Sequence, residues 1–138
     1  MRPAVVAHRG ASAYVVENTV EAVVEAFRLG ADAVEVDVRR SRDGVLVALH
    51  DEDLARLAGV KRRVSELSFA ELSSIKLRGG LRVARLEEVL EAARGRWLVV
   101  ELKEPGLEEA LVEALSGFQG RVLVLSLIHI SEPTRPRL

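Results

Sequence analysis

Residues 33–50 read AVEVDVRRSRDGVLVALH, and this stretch decides the class of fold. Its first part, 33–38, alternates valine with other residues, which is the period-two pattern of a β-strand. Residues 42–44 have the composition of a turn. The apolar run 45–50 predicts a second strand. We therefore expect two successive strands of a sheet whose faces are covered by other parts of the chain.

Strands alternate with helices along the rest of the chain. Short apolar runs predict further strands at 4–8, 97–103 and 121–124. Capping residues and helical spacing predict helices at 18–29, 86–93 and 107–115, with short helical turns within 65–77. This alternation predicts parallel βαβ units with right-handed crossovers. It fits either an open doubly wound sheet or a (β/α)₈ barrel, although the first strand lacks the glycine-rich loop of nucleotide-binding folds.

The composition excludes several classes of function. The 138 residues include 20 Lys and Arg against 21 Asp and Glu, so no basic excess is available for nucleic acid. The chain has no cysteine, which excludes disulfides and cysteine-bound zinc and suits a reducing cytoplasm. No apolar run could span a bilayer, and His8 and Arg9 interrupt the apolar start too early for a signal peptide. We expect a cytoplasmic protein without a transmembrane segment.

Two histidines close apolar strands, His8 after the first and His50 after the third. A single histidine in such a place is often structural. Two of them at the same end of parallel strands are better explained by a site, because the ligands of α/β folds gather at that end. Imidazole titrates near neutral pH, so the pair could divide the acid and base steps of a reaction.

Two carboxylates, Glu35 and Asp37, lie two residues apart on the second strand and therefore on one face of it. On a solvent-facing edge strand this alternation would be ordinary. In a strand covered on both faces, the carboxylates need a cation or strong hydrogen-bond donors, because an unpaired buried charge is very unfavourable. Oxygen ligands suit a hard ion such as Mg²⁺ or Ca²⁺.

Glu101 and Lys103 repeat this spacing on the strand at 97–103. Glu101 could supply a third carboxylate to a metal, and Lys103 could bring a positive charge to an anionic substrate. The alternative is an internal ion pair between the two side chains. Lysine is scarce in this chain, where most basic residues are arginine, so a lysine on a buried strand indicates a specific use.

A polar cluster, Glu17, Asn18 and Thr19, opens the first helix. Helix capping explains all three residues, with Asn18 or Thr19 as the cap and Glu17 at the positive end of the helix. The cluster is nevertheless close in sequence to Arg9, whose guanidinium could bind a phosphate oxygen or form a surface ion pair.

Taken in order, these motifs resemble those of the glycerophosphodiester phosphodiesterases. The ordered set is His8-Arg9-Gly10, Glu17-Asn18-Thr19, Gly30-Ala31-Asp32, Glu35-x-Asp37, Asp43-Gly44, His50-Asp51 and Glu101-x-Lys103. The resemblance implies a (β/α)₈ barrel of the phospholipase C-like phosphodiesterase type, of which about five of eight βα units are present. It implies hydrolysis of glycerophosphodiesters to glycerol 3-phosphate and an alcohol, with Mg²⁺ or Ca²⁺ as cofactor.

The resemblance also assigns roles to the candidate residues. It implies that His8 and His50 are the acid–base pair. It implies that the metal ligands are Glu35, Asp37 and Glu101. The residues that it places at the phosphate or in support of it are Arg9, Glu17 and Lys103. The expected partner is a small glycerophosphodiester.

The last residues, 125–138, differ from the rest of the chain. Two of the four prolines fall within the final six residues, and the segment can be encoded by a string that resembles a sequencing-library adaptor. A complete barrel takes about 200 residues or more. We expect residues 1–124 to be a partial barrel and 125–138 to be a non-native tail, with a natural basic tail as the alternative. His129 is left out of the site for this reason.

The sequence is also compatible with two other functions. The chain could be a catalytically inactive half barrel that acts by self-association or partner binding through an exposed sheet edge. It could also be a related lipid phosphodiesterase, similar to a phospholipase D. If the family function holds for the parent protein, we still expect this chain by itself to be inactive.

Overall fold

A computed structural model describes residues 3–126. The strands are β1 Val6–His8, β2 Ala33–Arg40, β3 Leu46–Ala48, β4 Asp53–Leu54, β5 Val60–Arg63, β6 Ala84–Arg85, β7 Trp97–Leu102 and β8 Arg121–Ser126. The α-helices are α1 Val20–Arg28, α2 Ala55–Ala58, α3 Phe69–Ser74, α4 Leu86–Ala92 and α5 Glu108–Leu115, and short 3₁₀ turns cover Val64–Glu66 and Arg78–Gly80. Of the predicted tail 125–138, residues 125 and 126 continue β8, and residues 127–138, with His129, lie outside the described residues.

The centre of the main sheet consists of parallel strands in the spatial order β1-β2-β7-β8. The strands are joined by helical connections, and four of the five predicted strands take part in this arrangement. Within residues 3–126 the sheet is open, with β1 at one side of the parallel part and β8 at the other. The predicted mixed α/β fold with parallel βα units is therefore observed.

The third predicted strand does not run parallel to the second, so that prediction is wrong. β3 pairs antiparallel with β2, with Val38 opposite Ala48, and a tight turn joins them. In this turn the Ser41 N–H donates to the Val45 carbonyl oxygen at 2.9 Å. A connection this short closes a hairpin, because a parallel pairing needs a crossover of about a dozen residues. β6 then pairs antiparallel with β3.

The sheet has an apolar face that packs against α1, α4 and α5. Its strand contribution comes from alternate residues of β2 and β7, which are almost completely buried: Val34, Val36, Val38, Leu98, Val100 and Leu102. Side chains between these positions point to the opposite face. Burial of the valines on one face thus fixes Glu35 and Asp37 on the other.

A second apolar cluster lies under the segment between β3 and β6. It is formed by Val47, Leu49, Leu54, Leu57, Val64, Leu67, Leu72, Leu77 and Val83. This cluster supports the short β4–β5 hairpin and α2, which the sequence patterns did not predict. It anchors the chain immediately before and after His50.

The loop between β1 and α1 approaches the helix closely. A Cβ atom at Gly10 would lie 2.8 Å from atoms of Ala22, and Gly10 has a φ of +84°. Only glycine fits both restrictions without displacement of the helix. Gly10 therefore lets the polypeptide turn over the start of α1 directly after His8 and Arg9. None of the helices found in the described part of the chain could cross a bilayer.

Candidate active site

Three carboxylates converge on the face of the sheet opposite the helices. Asp37 on β2 and Glu101 on β7 are direct neighbours in the parallel register. Glu35 lies two residues before Asp37, and each of the three offers an oxygen within 4.8 Å of the others. The side chain of Asp37 is 1% exposed and that of Glu35 is 8% exposed. The strand register thus produces a compact, mostly buried acidic cluster.

The acidic cluster is electrostatically unfavourable when no cation occupies it. Burial, and next the negative charge of Asp37, raise the pKa of Glu35 to about 8. Glu101 acts in the same direction, whereas the Arg9 N–H, which donates to Glu35, opposes the rise. Glu35 is therefore largely protonated at neutral pH in the absence of a cation.

Asp37 is held in place from one side only. The Asn18 side-chain amide donates to Asp37 Oδ2 at 3.1 Å, and its oxygen accepts the backbone N–H of Asp37 at 3.2 Å. Arg9 Nε lies 3.3 Å from the same Oδ2. The other oxygen, Oδ1, is buried and has no hydrogen-bond partner among residues 3–126. A buried carboxylate oxygen without a partner, within a set of three carboxylates, fits a hard divalent cation.

Asn18 is a site residue that the sequence patterns did not identify. Of the two candidate cap residues, Thr19 caps α1, with its hydroxyl oxygen accepting the Ala22 N–H at 3.1 Å. Asn18 instead adopts a left-handed conformation with φ of 59° and is 1% exposed. Its status as the only asparagine in the chain was the available signal.

The two histidines have different surroundings. His8 Nε2 lies 3.3 Å from Glu35 Oε1, beside the carboxylate cluster, and its side chain is 66% exposed. His50 Nδ1 lies 2.9 Å from Asp51 Oδ1, and its side chain is about one-third exposed. The Leu49 N–H donates to the Asp37 carbonyl oxygen at 3.0 Å, which brings the end of the hairpin to β2. A hairpin, and not a parallel strand, therefore places the backbone at His50 beside β2, the strand that carries Glu35 and Asp37.

Basic side chains surround the acidic cluster. Arg9 lies between Asp37 and Glu17, with its Nη1 3.3 Å from Glu17 Oε2. Lys103 Nζ is 3.7 Å from Glu101 Oε2, so the internal ion pair considered from the sequence is present. Both basic side chains are mostly buried. They leave positive charge next to the carboxylates, where an anionic phosphate group could bind.

Arg56 is a second residue that sequence reasoning missed. Its guanidinium bridges Glu17 and Asp51, with donor–acceptor distances between 2.8 and 3.3 Å. These contacts lower the pKa of both carboxyl groups, mainly through the hydrogen bonds from Arg56. In a chain rich in arginine, no local pattern distinguished Arg56 from arginines on the surface.

Comparison with known proteins identifies relatives of this arrangement. The model of the glycerophosphoryl diester phosphodiesterase family matches residues 8–131. A protein of Caldanaerobacter subterraneus named glycerophosphodiester phosphodiesterase is 35% identical, over 95% of this chain and 60% of its own length. The match of the family model extends past Val124, and the proposed start of a non-native tail at residue 125 stays a prediction.

Solved structures show the same fold. The crystal structure of a glycerophosphodiester phosphodiesterase from Thermotoga maritima is 35% identical with a TM-score of 0.83, covering 92% of this chain and 55% of that one. A phosphodiesterase from Oleispira antarctica, solved with its product sn-glycerol-3-phosphate, is 32% identical with a TM-score of 0.83, covering 91% and 57%. This likeness confirms the predicted part of a (β/α)₈ barrel. The chain spans about 60% or less of the length of each of these relatives.

Proposed function

The chain belongs to the glycerophosphoryl diester phosphodiesterase family, and from this premise we propose that its site, within a complete barrel, hydrolyses glycerophosphodiesters to glycerol 3-phosphate and an alcohol. The observation that carries this proposal is the buried cluster of Glu35, Asp37 and Glu101 next to His8 and Arg9. The glycerol 3-phosphate bound to the Oleispira relative supports the substrate class.

The residues of the site divide the work of the reaction. When bound by Glu35, Asp37 and Glu101, Mg²⁺ or Ca²⁺ supplies positive charge that stabilises the negative charge developing on the phosphoryl oxygens. Arg9 binds a non-bridging phosphate oxygen, and Glu17 keeps its guanidinium in place. Lys103 adds a second positive charge on the neighbouring strand.

His8 and His50 carry out the two proton transfers. One imidazole takes the proton of the attacking hydroxyl, which belongs either to water or to the glycerol group of the substrate; in the second case, departure of the alcohol leaves a cyclic phosphodiester, which water then opens to glycerol 3-phosphate. The other imidazole gives a proton to the oxygen of the departing alcohol. Asp51 orients His50 by accepting from its Nδ1, so that its Nε2 is available for the reaction.

The proposal is tested by hydrolysis of glycerophosphocholine with Mg²⁺ or Ca²⁺ present. We expect turnover from a protein in which residues 1–124 are joined to the remaining barrel half of a relative. We expect little or none from the 138-residue chain alone, because the open sheet leaves the site in water, where electrostatic stabilisation is weakened.

Sphingomyelin is the comparison substrate in this assay. Hydrolysis of sphingomyelin and not of glycerophosphocholine would move the chain to the related lipid phosphodiesterases. Equal specific activity of the short chain and the completed barrel would contradict the argument that the open sheet prevents catalysis.

A second activity of the chain, self-association, is favoured by its exposed strands. Val6 on β1 is 51% exposed, and Leu123 and Val124 on β8 are 58% and 43% exposed. Strands with free backbone groups and apolar side chains pair readily with another chain. We therefore propose that the 138-residue chain forms dimers or larger assemblies through these edges.

Light scattering coupled to size-exclusion chromatography measures this association. Leu123→Lys is expected to shift the chain towards the monomer, because a charged side chain on an edge strand opposes strand pairing. Val112→Lys is the matched control, since Val112 is 70% exposed and lies on the helix α5 and not on a strand. A monomeric wild-type chain, or equal effects of the two substitutions, would contradict edge-mediated association.

A further inference from the structure

Arg39 on β2 forms hydrogen bonds with the backbone of His50. Arg39 Nε and Nη2 both donate to the His50 carbonyl oxygen, at 3.0 and 2.8 Å. Arg39 Nη1 lies 3.4 Å from Glu104 Oε2, and the Arg39 side chain is only 11% exposed. The largely buried guanidinium of Arg39 therefore links the end of the β2–β3 hairpin, by hydrogen bonds, to β2 and, by an ion pair, to the segment after β7.

The ring of His50 forms a separate hydrogen bond with Asp51. The distance from His50 Nδ1 to Asp51 Oδ1 is 2.9 Å. Hydrogen bonds from Arg56 hold the pKa of Asp51 below its usual range, so this carboxylate is ionised and can only accept. The hydrogen of a neutral His50 ring must then lie on Nδ1, which leaves Nε2 as a free acceptor.

The position of Asp51 depends in turn on Arg56. Arg56 Nε donates to Asp51 Oδ2 at 2.9 Å, and Arg56 Nη1 and Nη2 donate to the two oxygens of Glu17 at 3.0 and 2.8 Å. Glu17 is itself held by Arg9. A guanidinium can donate to both carboxylates at once because its five N–H groups form a rigid fork, and a lysine ammonium cannot reproduce that geometry.

We propose that Arg39 and Arg56 are positioning residues for His50. Arg39 holds the His50 backbone carbonyl and Arg56 holds the ring through Asp51; we call this pair of contacts the His50 clamp. The clamp selects the ring tautomer that has its hydrogen on Nδ1 and a free Nε2. The inference rests on the proposed function, in which His50 transfers a proton. Through Glu17, the same clamp joins His50 to Arg9, so the proton-transfer group and the phosphate-binding group are placed by one connected set of ion pairs. Within residues 3–126, His8 has one ion-pair contact, with Glu35, and its side chain is largely exposed.

The test measures the two ring nitrogen shifts of His50 by long-range ¹H–¹⁵N correlation in the 138-residue chain, at about pH 8.5, roughly two units above the usual imidazole pKa. His50→Gln identifies the signals. We expect well-separated nitrogen shifts with the hydrogen on Nδ1. In Arg56→Ala and Arg56→Lys the two shifts should converge towards the tautomer average. Arg39→Ala should produce a smaller convergence, because Asp51 remains in place.

Asp51→Asn provides an independent variant of similar shape. Its amide N–H can donate to Nδ1, so we expect the hydrogen to move to Nε2. Arg28→Ala is the control, since Arg28 pairs with Glu25 on the exposed surface of α1 and should leave His50 unchanged. Thermal unfolding of each variant identifies any that do not fold. If an alanine variant does not fold, the tautomers of Arg56→Lys and Asp51→Asn decide whether the proposal holds.

An averaged tautomer in the wild type, or wild-type shifts in the folded Arg56→Lys and Asp51→Asn variants, would overturn the proposal. This measurement needs no turnover. Failure of the hydrolysis assay with an intact Nδ1–H tautomer would reject the proposed function and leave the clamp standing. A normal assay with an averaged tautomer would reject the clamp alone.

Discussion

Asp37→Asn is expected to remove most of the divalent-metal affinity of the chain. Asp37 Oδ1 is buried without a hydrogen-bond partner in the described structure, and Asp37 forms the acidic cluster with Glu35 and Glu101. An amide at this position loses the negative charge that a hard cation requires. At a metal concentration 100 times the dissociation constant of the wild-type chain, metal binding should raise the unfolding free energy of the wild type by about 2.7 kcal/mol. At the same metal concentration, the unfolding free energy of Asp37→Asn should rise by almost nothing.

Thermal unfolding with and without Mg²⁺ or Ca²⁺ measures this difference. Asp53→Asn is the matched control, because Asp53 lies outside the acidic cluster and its Oδ1 accepts the Ala55 N–H, which asparagine can also accept. Equal stabilisation of wild type and Asp37→Asn by metal, or full turnover of the completed enzyme after exhaustive chelation, would contradict the metal site.

The metal effect should also depend on pH. The pKa of Glu35 is raised from 4.5 to about 8. Without metal, the protonated Glu35 therefore stabilises the folded state fully below pH 4.5, and this stabilisation is lost as the pH rises through about 8. A bound cation needs the ionised carboxylate, and binding must displace the proton. We expect the gain in unfolding free energy from metal to be larger at pH 9 than at pH 6.

His8→Ala and His50→Ala are each expected to lower kcat of the completed enzyme by about 10²–10⁴-fold. General acid–base catalysis contributes this amount, and each substitution removes one of the two proton-transfer groups. Steady-state hydrolysis of glycerophosphocholine measures kcat and KM. We expect the loss mainly in kcat, since neither imidazole is assigned to substrate binding.

Lys61→Ala is the control for the two histidine variants, because Lys61 is exposed and lies on β5 outside the site. The wild-type enzyme should show a bell-shaped pH profile, because catalysis needs one histidine neutral and the other protonated. Near-normal turnover in either histidine variant would show that the residue concerned is structural and that the two-histidine mechanism is wrong.

Local sequence patterns were sufficient for most of the elements. Alternation at 33–38 predicted both the strand and its faces, and the structure places the valines in the core and Glu35 and Asp37 together on the other face. Helical turns were predicted within 65–77, and the structure places α3 there, with a capping box formed by Ser68 and Glu71. These features could be predicted because strand pleat, helix period and capping depend on residues close together in sequence.

The direction of the third strand could not be predicted in the same way. An apolar run has the same pattern in a parallel and in an antiparallel strand. What decides here is the short Ser41–Val45 turn, together with pairing of β3 to both β2 and β6. So short a connection allows only a hairpin, because a parallel pairing needs a crossover of about a dozen residues or more.

The amino-acid sequence by itself determined which groups the site could contain: two histidines at strand ends, carboxylates at period-two spacing, and charged residues before the first helix. Only the tertiary structure decided how they are partnered. The register that sets Asp37 beside Glu101, the turn of Asn18 towards Asp37 and the contact of Arg56 with Glu17 join residues 19 to 64 positions apart. The physical reason is that burial and ion pairing depend on distances in space, whereas a local pattern reports only on neighbours along the chain.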